Sequence, residues 1–115
     1  MNIKLKRAYD LYNISDGKRV LVDRLWPRGI KKENLKADLW LKEIAPSSEL
    51  RKWFNHEDEK WTLFKERYFA ELDNNKEEVN KLIKLAKEGD ITLIFSATNI
   101  EHNQAVALKE YLLKH

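Results

Sequence analysis

Val20-Leu21-Val22-Asp23-Arg24-Leu25-Trp26-Pro27-Arg28-Gly29 is the stretch on which the reading of this chain turns. A short β-branched apolar run delivers an acid, two guanidiniums and an indole into a turn stiffened by Pro27 and loosened by Gly29. The apolar run predicts a buried strand from Arg19 to Asp23. In an open α/β sheet, ligands sit outside the carboxyl ends of the strands, so the polar turn is where a pocket is expected.

Working outward, the other buried run is Ile91 to Phe95, nearly continuous in apolar residues, as expected of a strand covered on both faces. Ile3 to Arg7 alternates and predicts a first strand. Asn13, Ser15, Asp16 and Gly17 mark a loop. Lys31 to Leu35 predicts one helical turn, and Ala37 to Ile44 reads as a strand because Leu39 and Leu41 alternate with Trp40 and Lys42. Ser47 is placed to cap a short helix ending near Phe54, with Leu50, Trp53 and Phe54 facing inwards. Glu57 to Leu72 opens with acids and spaces Trp61, Phe64, Tyr68 and Leu72 along one helical face. Asn75 to Glu88 carries a capping box of Asn75 with Glu78, a stripe of Val79, Leu82, Ile83 and Ala86, and a stop at Gly89. A polar turn from Ser96 to Asn99 then leads into a last helix from about Glu101 to Lys114. Strands alternating with helices imply a three-layer α/β fold, a small and mostly parallel sheet flanked by helices.

Composition bounds the rest. The 115 residues suit a single α/β domain over residues 1–115, and 43% hydrophobic content with four tryptophans excludes disorder. The net charge of +3 and pI near 9.0 are mild, and lysines are interspersed with glutamates. The absence of cysteine excludes disulfides, a thiol nucleophile and thiolate metal sites. No run approaches a membrane span and the first residues lack a signal-peptide core, so a soluble, cytoplasmic protein is expected.

If the strands at Val20 and Ile91 are parallel neighbours, Asp23, Arg24 and Arg28 meet Ser96, Thr98, Asn99, His102 and Asn103 at one sheet edge. The start of the last helix adds unpaired N–H groups, and two arginine forks match a phosphate or carboxylate. Asp23 and His102 are the acid/base candidates. Histidine carries protons near neutral pH, and a ring in the first turn of the last helix would stay neutral. Arg24, Arg28, Trp26, Ser96, Thr98, Asn99 and Asn103 are the candidate binding residues. Each has a plainer reading. Asp23 could pair with Arg24 or Arg28, and the arginines could hold the loop. Trp26 could pack, Ser96 and Thr98 could shape the turn, and His56 could cap the following helix. Trp40, Trp53 and Trp61 fall in apolar patterns and read as core. Asp23, Glu101 and His102 have no metal-ligand spacing, and no metal is assigned. No cofactor is indicated.

The opening stretch, with Asp38-Leu39-Trp40-Leu41-Lys42, Ala45-Pro46-Ser47, Leu50-Arg51-Lys52-Trp53-Phe54 and Glu101-His102-Asn103, resembles the bacterial domain-of-unknown-function family 488 in its short YeaO-like branch. The resemblance spans essentially the whole chain and implies no agreed activity. The wider family is similar in having a cysteine at the end of the closing strand and a Cys-His-Arg run opening the helix. Here Phe95 takes the first position and Asn103, Gln104 and Ala105 replace the run, while Glu101 and His102 remain. Val22-Asp23-Arg24 matches, which implies a shared pocket rather than a shared reaction. Three functions stay open on these grounds. One is an enzyme acting on a phosphorylated or other anionic substrate. Another is a non-catalytic binder of nucleotides or nucleic acid, and the third is an interaction module with a structural polar loop.

Overall fold

The computed structural model describes residues 1–115. Four strands, β1 (Ile3–Arg7), β2 (Lys18–Leu21), β3 (Leu39–Trp40) and β4 (Ile91–Phe95), form one all-parallel sheet in the order β1-β4-β2-β3. Five helices accompany it: α1 (Lys32–Leu35), α2 (Ser48–Phe54), α3 (Trp61–Asp73), α4 (Lys76–Glu88) and α5 (Gln104–Leu113). The fold is the expected three-layer α/β arrangement, and β2 and β4 are parallel neighbours, Val20 opposite Leu93 and Leu21 opposite Ile94. β1 pairs with the other side of β4, Leu5 opposite Leu93. No helix is long and apolar enough to cross a membrane.

Strand alternation sorts the sheet into two unlike faces. Ile3, Val20, Val22, Ile91, Leu93 and Phe95 join a core of 21 buried residues with side chains from α2, α3, α4 and α5. The intervening positions, Arg19, Leu21, Thr92 and Ile94, point to the other face, where the cover is thin. Only Ala8, Leu21, Leu35 and Ile94 form an apolar cluster there, with Trp26, Ile30 and Ala37 packed against it. The remainder of that face is an ion pair. Arg19, 1% exposed, donates through Nη1 to Asp16 Oδ2 at 2.5 Å and through Nε and Nη2 to the Leu35 carbonyl at 3.2 and 2.8 Å. Lys6 Nζ lies 3.2 Å from both Asp16 oxygens, and Thr92 Oγ1 donates to the Asp16 carbonyl at 2.7 Å. The loop that supplies Asp16 is a 3₁₀ turn, Ile14–Asp16, with Asn13 and Asp16 forming a reciprocal cap. Gly17 follows at φ 67°, where a Cβ would fall 2.2 Å from the Asp90 carbonyl oxygen, so no other residue fits.

Several boundaries depart from the sequence reading. The second strand stops at Leu21, although Val22 N–H still donates to the Ile94 carbonyl at 3.1 Å before the chain leaves the sheet. Of Ala37 to Ile44 only Leu39–Trp40 pairs; Lys42–Ile44 is a 3₁₀ turn, because Leu41 and Ile44, three apart, are the residues that turn inwards. The acids before Trp61 lie in a separate 3₁₀ turn, Asp58–Lys60. The Asn75 capping box is absent: Asn75 Nδ2 donates to the Glu43 carbonyl and Glu78 pairs with Lys81. The last helix begins at Gln104 with Asn103 as its cap, so His102 precedes the helix rather than sitting in its first turn. Trp40 is exposed and Trp53 and Trp61 are half-buried, so none of the three is core. Ser47 caps α2 as expected, its Oγ accepting from Leu50 N–H at 3.1 Å.

Desolvation pushes the Asp16 carboxyl up, but the Asn13 N–H, Lys6 and Arg19 together hold it below its ordinary value. Its contribution to stability is therefore present above the ordinary carboxylate range and is lost as pH falls through the folded-state value. Asp16→Ala strands a buried guanidinium and is expected to cost ~3–5 kcal/mol in urea denaturation at pH 7, comparable with the ~2–5 kcal/mol of Leu82→Ala in the main core. Asp16→Asn is expected to lose less stability than the wild type between pH 5 and pH 3; an equal loss would show that the pair does not titrate with folding.

Candidate functional site

Chain direction creates the site. After β2 the chain passes to the thin face through α1, whereas after β4 it returns to the thick face through α5. Adjacent strands whose continuations diverge leave a crevice at their carboxyl ends. A cavity of about 840 Å³ opens there, lined by the loop after β2, the turn after β4, the start of α5, and one face of α2.

The floor of this cavity is organised by Asp23. Its Oδ2 accepts from Ser96 N–H at 2.9 Å and its Oδ1 accepts from Gln104 Nε2, tying the end of β2 to the turn after β4 and to the first residue of α5. Trp40 Nε1 donates to the Asp23 carbonyl at 2.7 Å, and Trp26 Nε1 to the Ile30 carbonyl at 2.6 Å. The two indoles meet edge to face at 5.5 Å. Trp26 thus lines the cavity while bracing its loop, and the exposed Trp40 supports the same loop from the sheet edge. Burial raises the Asp23 carboxyl above its ordinary value, opposed by the Ser96 hydroxyl and N–H, by the charge of Arg51 and by Gln104. The Ser96 hydroxyl is near enough to favour the anion, yet it is buried without a hydrogen bond of good geometry.

Three arginines line the cavity. Arg24 Nη2 donates to the Ala45 and Pro46 carbonyls at 3.1 and 3.4 Å, with Nη1 3.6 Å from Glu43; its Nε is buried and unpartnered. Arg28 is exposed at the rim, and its carbonyl accepts from the Tyr9 hydroxyl at 3.1 Å. Arg51, from α2, donates to Ser48 Oγ at 3.1 Å. Neither Arg24 nor Arg28 pairs with Asp23. Arg7 reaches over β4 to hold the Ala97 and Ser96 carbonyls at 2.9 and 3.2 Å, which fixes the turn on the far wall.

Of the residues singled out from sequence, Asp23, Arg24, Trp26, Arg28, Ser96, Thr98 and Asn103 share this cavity. Asn103 is largely committed to structure: its Oδ1 caps Val106 N–H and its Nδ2 donates to the Asn99 carbonyl. Asn99 and His102 do not line the cavity. Asn99 Oδ1 accepts from the Glu101 and His102 N–H groups, and its Nδ2 donates to Asp58. His102 stacks on Trp61 at 4.8 Å with Nδ1 3.0 Å from Asp58, so Asp23 and His102 are not partners. No three His, Cys, Asp or Glu side chains are grouped to hold a metal ion.

Tyr9, Arg51, His56 and Gln104 also line the cavity, and sequence reasoning missed them as site residues. Arg51 and His56 arrive there only because α2 packs beside the crevice, a tertiary fact with no local signal. Asn55 and His56 adopt φ of 48° and 55°, two consecutive left-handed residues. Such backbone costs about 1–3 kcal/mol per residue and collects at functional sites.

Residues 2–115 match the family described as the inactive DUF488-N3 subclade. The chain belongs to that family. It is 50% identical over 112 residues to the uncharacterised protein YeaO of Escherichia coli, with 97% of each chain covered. It is 34% identical over 110 residues to the uncharacterised protein Rv3073c of Mycobacterium tuberculosis, covering 96% of this chain and 92% of the relative. No solved structure matches it. The positions at which this chain departs from the wider family's cysteine pattern have structural tasks here: Phe95 is buried core, Asn103 caps α5, Gln104 bonds Asp23 and Ala105 is fully buried.

Asp23→Ala removes the acceptor of Ser96 N–H and is expected to cost ~1–3 kcal/mol in chemical denaturation. Because the raised folded value means that ionised Asp23 opposes folding as pH rises through it, Asp23→Asn is expected to stay within about 1 kcal/mol of wild type at pH 7. A large loss in Asp23→Asn would instead identify the charge itself as the tie.

Proposed function

We propose that this chain is a non-catalytic binding protein whose cavity takes a small anionic ligand carrying a phosphate-like group, of which a nucleotide is the natural size class. One observation carries the reading: three arginines, Arg24, Arg28 and Arg51, line one cavity whose single lining carboxylate, Asp23, already accepts from Ser96 and Gln104, and only Arg24 has another carboxylate, Glu43, within ion-pair distance. Positive charge is therefore in excess where the buried Arg24 Nε and Ser96 Oγ offer unpaired hydrogen-bonding capacity. Guanidinium forks suit planar or tetrahedral oxyanions better than a point charge would. Asn103 caps Val106 N–H, and Gln104, the first residue of α5, lines the cavity with its own N–H outside the helical ladder.

The non-catalytic part rests on separation. General acid/base work needs its groups within hydrogen-bond reach of one another's substrate atoms. His102 is engaged with Asp58 and Trp61, Asp23 is engaged with the strand ends, and His56, the one histidine of the cavity, has no hydrogen bond to Asp23. Membership of a subclade described as inactive points the same way. A volume of about 840 Å³ lies within the range of ordinary small-molecule sites.

Calorimetric titration with inorganic phosphate and with a nucleoside monophosphate tests the proposal. Arg28→Ala and Arg51→Ala are each expected to weaken binding by about tenfold, the worth of one charge-assisted hydrogen bond, while stability changes by less than about 1 kcal/mol. Absence of binding by the wild type, or affinity indifferent to both substitutions, would remove the anion site. Loss of more than ~3 kcal/mol of stability in Arg28→Ala would show the loop to be architecture alone.

A further inference from the structure

His56 is the one histidine in the cavity, and the backbone is bent to put it there. Helix α2 needs a single left-handed residue to close its last turn, and Asn55 supplies it: Asn55 N–H donates to the Arg51 carbonyl at 3.0 Å. His56 then takes a second left-handed conformation, which the cap does not require. The extra turn brings Glu57 N–H to the Phe54 carbonyl at 3.0 Å and leaves the His56 ring beside Phe54, with 6.3 Å between ring centres, at the cavity wall that also carries Arg51. His102 has its Nδ1 committed to Asp58, whereas the exposed His56 ring keeps its nitrogens free for a ligand.

We propose that His56 is a ligand contact that makes the cavity selective for doubly charged oxyanions and couples their binding to pH. This rests on the anion-binding reading of the cavity and adds the identity of the proton-dependent group. A protonated imidazole would set a second positive charge beside Arg51 against one ligand, and a neutral imidazole would leave Arg51 to act without it. The charged groups sharing the cavity with His56 are Asp23, Arg24 and Arg28 from the loop after β2 and Arg51 from α2; Tyr9, from the loop after β1, adds a phenol, and the turn after β4 and the start of α5 contribute only neutral polar side chains. On its own connection Glu57 is paired with Lys60 at 3.1 Å, and Asp58 with His102 at 3.0 Å. Glu59, the third carboxylate of that connection, is exposed and forms no ion pair, and none of the three carboxylates hydrogen-bonds the His56 ring.

Sulfate is the probe, because it stays fully ionised between pH 5.5 and pH 8 and contributes no titration of its own. At constant ionic strength, wild-type affinity for sulfate is expected to rise roughly five- to tenfold from pH 8 to pH 5.5, since gaining a positive charge at the imidazole adds about one charge-assisted contact to the dianion. His56→Gln is expected to bind at both pH values with the affinity of the wild type at pH 8. Asp23→Asn is expected to keep the slope, which separates His56 from the other titrating group of the cavity. His56→Gly is expected to lose the slope while gaining thermal stability, since glycine adopts the left-handed backbone freely. A flat wild-type profile, or a slope that survives in His56→Gln, overturns the assignment of His56 while leaving the anion site standing. A slope that vanishes in Asp23→Asn, or a fall in thermal stability in His56→Gly, likewise assigns the effect to Asp23 or the ring to packing. Absence of sulfate and phosphate binding at every pH overturns the site and His56 together.

Discussion

Strand β4 is laid down last and occupies the middle of the sheet. Its backbone bonds to β1 on one side and to β2 on the other, and all five of its residues are buried. Until Ile91–Phe95 arrives, the chain before it has no sheet to belong to: β1 and β2 do not touch each other, and β3 pairs with β2 over only two residues. The ladder even extends past its formal limits, with Lys18 N–H donating to Asp90 and Ile91 N–H to Asn2. Long-range parallel pairing is entropically expensive to close, so helices α3 and α4, which lie between β3 and β4 and pack on the thick face, have to bring the ends together.

The two faces of this sheet solve burial differently. The thick face uses aromatic and aliphatic volume: Phe64 stacks on Phe54 at 4.4 Å, and the fully buried Tyr68 hydroxyl donates to the Ile44 carbonyl at 2.6 Å, with burial and the nearby Glu71 pushing that hydroxyl far up. The thin face has too few apolar side chains for this and closes over Arg19 and Asp16 instead. A buried pair is no gift to stability compared with well-packed hydrophobes. What it does here is positional: one guanidinium bonds the 3₁₀ turn through Asp16 and α1 through the Leu35 carbonyl, tying the two loops to each other across the face.

Much of this fold is legible in the sequence, and the exceptions have physical causes. Continuous apolar runs identified β2 and β4 because a strand buried on both faces has no other composition available. Helical stripes identified α3 and α4. The stretch from Ala37 to Ile44 departs from its pattern because Leu39 and Leu41 alternate with Trp40 and Lys42 like a strand while Leu41 and Ile44 turn inwards at three-residue spacing; period-two and period-three patterns overlap in eight residues. The Asn75–Glu78 box failed because a tertiary acceptor, the Glu43 carbonyl, took the Asn75 amide. At the site, the contribution of β2 and β4 could be read since both strands announce themselves. Arg51 and His56 could not, because nothing in Leu50-Arg51-Lys52-Trp53-Phe54-Asn55-His56 says which wall of which crevice α2 will form. The sequence pattern puts His102 in the first turn of the last helix; with Asn103 as cap, the helix begins at Gln104 and the histidine precedes it, stacked on Trp61.

Lys6 serves a second purpose that concerns the company this protein keeps. Parallel sheets that end in open edges offer unpaired peptide groups to any neighbouring chain, and both ends of this sheet are edges. At one end β3 is two residues long, too short to template another strand. At the other, β1 runs for five residues but carries Lys4 and Lys6 between its apolar positions, Lys6 drawn over the sheet toward Asp16 and Lys4 toward the Ser15 carbonyl and Asp90. A foreign strand laid against β1 would have to bury those ammonium groups beside its own side chains. The lysines that help close the thin face therefore also guard the sheet against edge-to-edge aggregation.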